Sequence, residues 1–133
     1  MTSVTKAVMN ACDRTATITV ALREDGDLDV DIQSDCDVVM GYAERLGGRI
    51  SQMDVYGFQN SKINSDVIRG QLTATCLVPN AIYNAAFMEL GMMTRSLAKK
   101  AKQNTVIIDV EDPEERSPND PAISTSLMLN SDN

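Results

Sequence analysis

Residues 15–33 constrain the fold more than any other stretch. Ile18, Val20 and Leu22 alternate with Thr17, Thr19 and Ala21; Leu28, Val30 and Ile32 alternate with Asp29, Asp31 and Gln33. A period of two puts the apolar residues on one face and the polar ones on the other, the pattern of a half-buried strand. Two such runs joined by Arg23-Glu24-Asp25-Gly26-Asp27 form a β-hairpin. Its register follows from the faces. A two-residue Asp25-Gly26 turn sets Leu22 opposite Asp29 and mixes them. A three-residue Glu24-Asp25-Gly26 loop, with Gly26 left-handed, sets Leu22 opposite Leu28 and Val20 opposite Val30. The second keeps one face apolar and is the expected register. Residues 3–9 suit a further strand.

The hairpin needs helices to cover its dry face. Ser34-Asp35-Cys36-Asp37 reads as a helix start, with Ser34 as cap and Asp37 three residues on. Val39, Tyr42, Ala43 and Leu46 follow at helical spacing, and Gly47-Gly48 stops the run. Residues 49–63 show no period and read as a loop. Ser65 suits the cap of a short helix carrying Val67, Ile68 and Leu72. Pro79 sits at the first turn of a helix striped by Ile82, Ala85, Ala86, Glu89, Leu90 and Met93. Residues 94–103, with Arg95, Lys99, Lys100 and Lys102, read as a solvated surface helix. Residues 105–110, TVIIDV, read as a strand of the buried kind. The expected fold is therefore α+β: a small antiparallel sheet, helices on one face, and a final strand after the helices. Residues 1–111 are expected to form a single domain, and residues 112–133 a flexible, acidic, proline-containing tail.

Composition narrows the function. The chain has 133 residues, enough for one self-supporting domain. Aromatics make up only 4% and Trp is absent, so the core is aliphatic, with eight Met as fillers. A net charge of −7 disfavours nucleic acid and anionic membranes as partners. The chain has no His, which removes His general-base catalysis, the Ser-His-Asp triad and His-liganded zinc. No stretch approaches the ~18 apolar residues of a membrane span, and no signal-peptide run follows Lys6. A cytoplasmic protein is expected. Its partner would be a small ligand or another protein, and Met88, Met92 and Met93 suit either core packing or a homo-oligomer contact.

There are three cysteines: Cys12, Cys36 and Cys76. An odd count in a cytosolic chain argues against a disulfide framework. If Ile18 pairs with Ile32, Ala16 pairs with Ser34, and Cys12 and Cys36 lie beyond the same end of the hairpin. Cys36 falls in a first helical turn, and Cys76 shortly precedes the Pro79 helix. Helix starts carry free N–H groups and partial positive charge, which favour a thiolate. Free cysteine also packs as a small hydrophobe, so the spacing alone leaves a structural role open.

The segments Ser34-Asp35-Cys36 and Cys76-Leu77-Val78-Pro79-Asn80-Ala81-Ile82, with Glu89 and Gly91 beyond, resemble an uncharacterised family of small three-cysteine proteins from anaerobic microbes. The resemblance covers roughly residues 4–110. It implies that Cys12, Cys36 and Cys76 act together, and it implies no activity. Three thiolates without His leave few chemistries. An iron–sulfur cluster held by three cysteines keeps one iron open for a substrate, a small ligand, Asp35 or Asp37. Zinc with three cysteines and a carboxylate or water is the main metal alternative. The expected function is thus a cytoplasmic metal or iron–sulfur protein with ligands Cys12, Cys36, Cys76 and Asp35. Its open coordination site would serve redox or sulfur chemistry. A non-enzymatic interaction module with structural cysteines and a metal-free thiol enzyme, with no cofactor, stand as alternatives.

Overall fold

The structure, a computed structural model, describes residues 1–110. Four antiparallel strands form one sheet in the order β1-β2-β3-β4: β1 Thr2–Met9, β2 Arg14–Leu22, β3 Leu28–Ser34 and β4 Arg49–Ile50. The β2–β3 register is the one the apolar face demands, with Ile18 opposite Ile32, Val20 opposite Val30 and Leu22 opposite Leu28. Gly26 takes φ +94° and its N–H donates to the Arg23 carbonyl, while the Arg23 N–H donates to the Asp27 carbonyl. That is a three-residue loop with a left-handed third residue, a conformation glycine adopts without strain. Exposed ion pairs of Arg49 with Asp25 and Asp27, and of Arg23 with Asp25 and Asp29, surround it.

β1 adds to the other side of β2, with Ala7 opposite Ala16 and Met9 opposite Arg14. This register buries Ser3, Ala7 and Met9 and leaves Val4 and Val8 exposed. Both valines thus face out, on the face that also carries Lys6. Register to β2 decides the inner face, and β1 follows it.

The helices lie on one face of the sheet. α1 runs Asp37–Leu46 and packs on β3, burying Val39, Tyr42 and Leu46. It ends at Gly47, left-handed at φ +80°, whose N–H returns to the Ala43 and Glu44 carbonyls. Its N-cap is Cys36 and not Ser34. The Ser34 hydroxyl instead accepts from the Cys36 N–H at 3.1 Å, so it closes the turn one step before the helix. α4, Val78–Glu89, packs across β1 and β2 with Pro79 in its first turn. Small residues at Ala7, Ala16, Ala81 and Ala85 let it approach closely. The Thr5 hydroxyl on β1 donates to the Ala81 carbonyl at 2.8 Å. Leu90 caps α4 and Gly91, at φ +77°, turns the chain away. α5, Arg95–Ala101, is the expected solvated helix.

Residues 49–63 are more ordered than the sequence suggests. They contain β4, the short helix α2 (Gln52–Val55) and most of a 3₁₀ turn at Lys62–Asn64. α2 opens on a reciprocal capping box: the Ser51 hydroxyl accepts from the Asp54 N–H, and the Asp54 carboxylate accepts from the Ser51 N–H at 2.9 Å. A four-residue helix is too short to show a period, which is why it escapes pattern reading. α3, Asp66–Arg69, follows Ser65 as expected, with Ile68 part-buried and Val67 out in solvent.

The final strand is the fold's clearest departure from expectation. Residues 105–110 are not a strand, and Val106, Ile107, Ile108 and Val110 are exposed. Among the described residues the last strand is β4, before most of the helices. An apolar β-branched run has strand propensity, but propensity alone does not supply a ladder. Met1–Lys100 forms one compact unit, and residues 101–110 lie outside it. The tail expected at 112–133 lies outside the described residues.

Glu89, the one charged residue in the α4 stripe, is a fastener. Its side chain is only 3% exposed. One carboxylate oxygen accepts from the Ser3 hydroxyl at 2.9 Å and from Arg95 at 3.3 Å; the other accepts from the Leu22 N–H at 2.8 Å. It therefore ties β1, β2 and the start of α5 to the end of α4. Hydrogen bonds to charged groups contribute about 1.5–3 kcal/mol each. Glu89→Ala should destabilise the fold by about 2–3 kcal/mol, read as a lower urea midpoint in equilibrium unfolding.

Candidate functional site

The sheet register brings three chain segments to one end of the molecule. β1 ends at Met9, beside Arg14, and β3 ends at Ser34, beside Ala16. Cys12 therefore lies in the turn leaving β1, and Cys36 lies just beyond β3. α4 starts at the same end, because the Cys76 thiol that precedes it reaches the Met9 sulfur at 3.8 Å.

Each thiol has a distinct setting. Cys12 is exposed on a turn in which Asp13 is left-handed, and its Sγ–H donates to the Met9 carbonyl at 3.7 Å. Cys36 is half-buried at the N-cap of α1, and its carbonyl accepts the Met40 N–H at 3.0 Å, the first bond of the helix. Cys76 is half-buried at the end of a turn in which its N–H donates to the Thr73 carbonyl at 3.1 Å. Burial pushes the Cys76 thiol above the usual range. The Val78 N–H, at the start of α4, pulls it down, and so does the Arg69 guanidinium. Negative charge on Cys12 and on Cys36 pushes it up further. The helix-start effect expected from sequence is thus present at Cys76 and outweighed by burial.

Asp35 is engaged elsewhere. Its carboxylate is 3.4 Å from Arg14, and Arg14 also donates to the Asp35 carbonyl at 3.1 Å. Asp37 sits in the first turn of α1. Among the described residues, no three His, Cys, Asp or Glu side chains come close enough to hold a metal ion as they stand. The donor chemistry suits a soft metal; the resting side-chain positions do not form a closed shell.

Two sets of residues escape sequence reading. Met9 belongs to the β1 face pattern, yet only the register shows that its side chain ends beside Cys76. Ser61 is buried and receives the Tyr83 hydroxyl at 2.7 Å, while its own hydroxyl donates to the Asp54 carbonyl at 2.6 Å. The Tyr42 hydroxyl donates to the Ile63 carbonyl at 2.7 Å. Burial raises both phenols, so they serve as neutral donors that pin residues 54–63 to α1 and α4.

The family of unknown function DUF6951 matches residues 4–102. The chain belongs to this family. The match takes in all three cysteines, Met9 and Glu89. No curated protein matches the chain. No solved structure matches it. Among the described residues no helix is long and apolar enough to cross a membrane.

The thiol settings make a kinetic prediction. With its pKa raised, Cys76 should alkylate more slowly than the exposed Cys12 at neutral pH in metal-free protein. Its rate should keep rising past about pH 8.5, the ordinary thiol value. Site-resolved mass spectrometry across a pH series checks both.

Proposed function

We propose that this protein binds a thiophilic metal ion or an iron–sulfur cluster through Cys12, Cys36 and Cys76, and does so in the cytoplasm. The observation that carries the reading is the shared end of the sheet: the turn after β1 that holds Cys12, the β3–α1 junction that holds Cys36 and the approach to α4 that holds Cys76 all lie there. Thiolates that repel one another ionise together when a cation neutralises them, and metal binding then releases their protons. Cys36 stands at the N-cap of α1 and Cys76 just before α4, where the Val78 N–H partly offsets the effect of burial on the Cys76 thiol. Cys12, on its exposed turn, closes the ligand set. Three thiolates leave one coordination position for a small ligand or for Asp35 once it parts from Arg14. A bound iron or zinc would supply redox or Lewis-acid chemistry at that position. An odd number of free thiols fits a reducing compartment. The likeness to three-cysteine proteins of anaerobes belongs to this reading as well, since oxygen degrades such centres.

One observation favours a second reading, an interaction module. Met53, Tyr56 and Phe58 are exposed on and just after α2, and Val67 on α3 is 81% exposed. Large apolar side chains exposed on a firmly pinned segment suit a protein partner.

Anaerobic purification followed by iron, sulfide and zinc quantification tests the metal reading. Wild-type protein should carry metal in a fixed ratio to chain. A Cys12→Ser/Cys36→Ser/Cys76→Ser variant should carry none and keep the same helical circular dichroism. Wild-type protein that is metal-free and takes up neither iron with sulfide nor zinc on reconstitution would leave the interaction reading in its place.

A further inference from the structure

β1 is a free edge of the sheet. Among the described residues its only strand neighbour is β2, and no backbone group of Ser3–Val8 bonds outside that ladder. A free edge is a template for another strand, and proteins commonly blunt it with proline, a bulge or several charges. β1 has eight residues in unbroken register, no proline and one charge, Lys6. The chain also carries a strand-like run without a sheet. Residues 105–110 are β-branched apart from Asp109, and Val106 and Ile108 are 75% and 76% exposed. We infer that residues 105–110 of one copy add as a strand to the β1 edge of a second copy and that the second copy reciprocates, closing a two-fold dimer.

Parity makes the two elements complementary. On β1, Val4, Lys6 and Val8 lie on the open face, and Ser3, Ala7 and Met9 lie on the face that the helices cover. In the run, Val106, Ile108 and Val110 alternate with Thr105, Ile107 and Asp109. Turning the first set toward the helix side puts Asp109 on the face of Lys6. A slip of one residue would bury Asp109 and expose three apolar side chains. Asp109 is the only charge of the run, Lys6 is the only charge of β1, and their signs are opposite. With these two opposite each other, Ile107 falls beside Val8 if the strands are antiparallel and beside Val4 if they are parallel. Each copy brings one edge and one run, so a two-fold pair fills both edges and leaves neither run over. The hinge favours exchange. Only residues 102–104 separate α5 from the run, and Lys102 is left-handed at φ +69°, a conformation that strains a non-glycine residue. Short, strained hinges promote swapping between copies.

Sedimentation of the full chain across a dilution series tests the inference. The wild-type mass should rise to twice that of the chain as concentration increases. Successive N–H groups of a strand point to opposite edges, so Val106→Pro/Ile107→Pro removes a donor facing β1 in either strand direction. This variant should stay monomeric with unchanged helical circular dichroism, since the run lies outside the compact unit. Charge reversal separates exchange between copies from pairing within one. Lys6→Glu alone and Asp109→Lys alone each set like charges opposite each other at both contacts, and each should weaken the dimer about tenfold. A mixture of the two variants pairs opposite charges at both contacts and should restore the wild-type dissociation constant. A wild-type chain that stays monomeric overturns the inference, and so does a dimer that survives the two prolines. A mixture no tighter than either variant alone also overturns it, because the run then pairs within its own chain or with nothing.

Discussion

The apolar face shared by β2 and β3 is the constraint on which the rest depends. Ile18 and Val20 are fully buried, and Ile32 and Val30 opposite them are nearly so. A shift of one residue would turn every one of these side chains into water. Each fully buried aliphatic side chain contributes about 1.5–3 kcal/mol, so such a shift is prohibitive. Gly26 makes the chosen register reachable, because a left-handed third loop residue adds the one position the hairpin needs. Once that register holds, Ser34 stands beside Ala16. The β1–β2 turn with Cys12 and the β3–α1 junction with Cys36 then share an end of the sheet.

α4 is fastened over this frame at both ends by different chemistry. At its far end the Glu89 carboxylate collects a hydroxyl, a backbone N–H and a guanidinium. At its start Cys76 meets Met9 in a sulfur–sulfur contact, with the Val78 N–H acting on the thiol. The first fastening is polar and satisfied, as burial of a carboxylate requires. The second is soft and leaves thiols with spare donor capacity. The fold keeps a fully satisfied polar end for stability and holds thiols at the other, where only weak sulfur hydrogen bonds engage them.

Much of the frame was legible in the sequence. Alternation dictates the hairpin and its loop, because a period of two has only one dry face. The stripe Val39, Tyr42 and Leu46 with Gly47 behind it dictates α1, and Pro79 opens α4 as proline does. What stayed illegible was local and short or dependent on a partner. Ser34 and Cys36 are two residues apart, and either has the position for a cap; the backbone angle after β3 selects Cys36. Ser51 and Asp54 close a capping box around a helix too short to carry a period. The β-branched run 105–110 has the composition of a strand but is not one, since a strand exists only where another edge accepts it.

At the cysteine end of the sheet, the chain alone establishes the side-chain chemistry: three thiols, no imidazole, and two of the thiols beyond one hairpin end. Residue type and parity are properties of the chain, and they suffice for that. The tertiary structure alone decided which groups touch. It turned Ala7 and Met9 inward and Val4 and Val8 outward, a choice that alternation along β1 leaves open. It set Met9 against Cys76, residues 67 positions apart, and tied Asp35 to Arg14. Contacts between distant residues depend on how strand ends and helix starts coincide in space. That coincidence is fixed by packing, which no local pattern encodes.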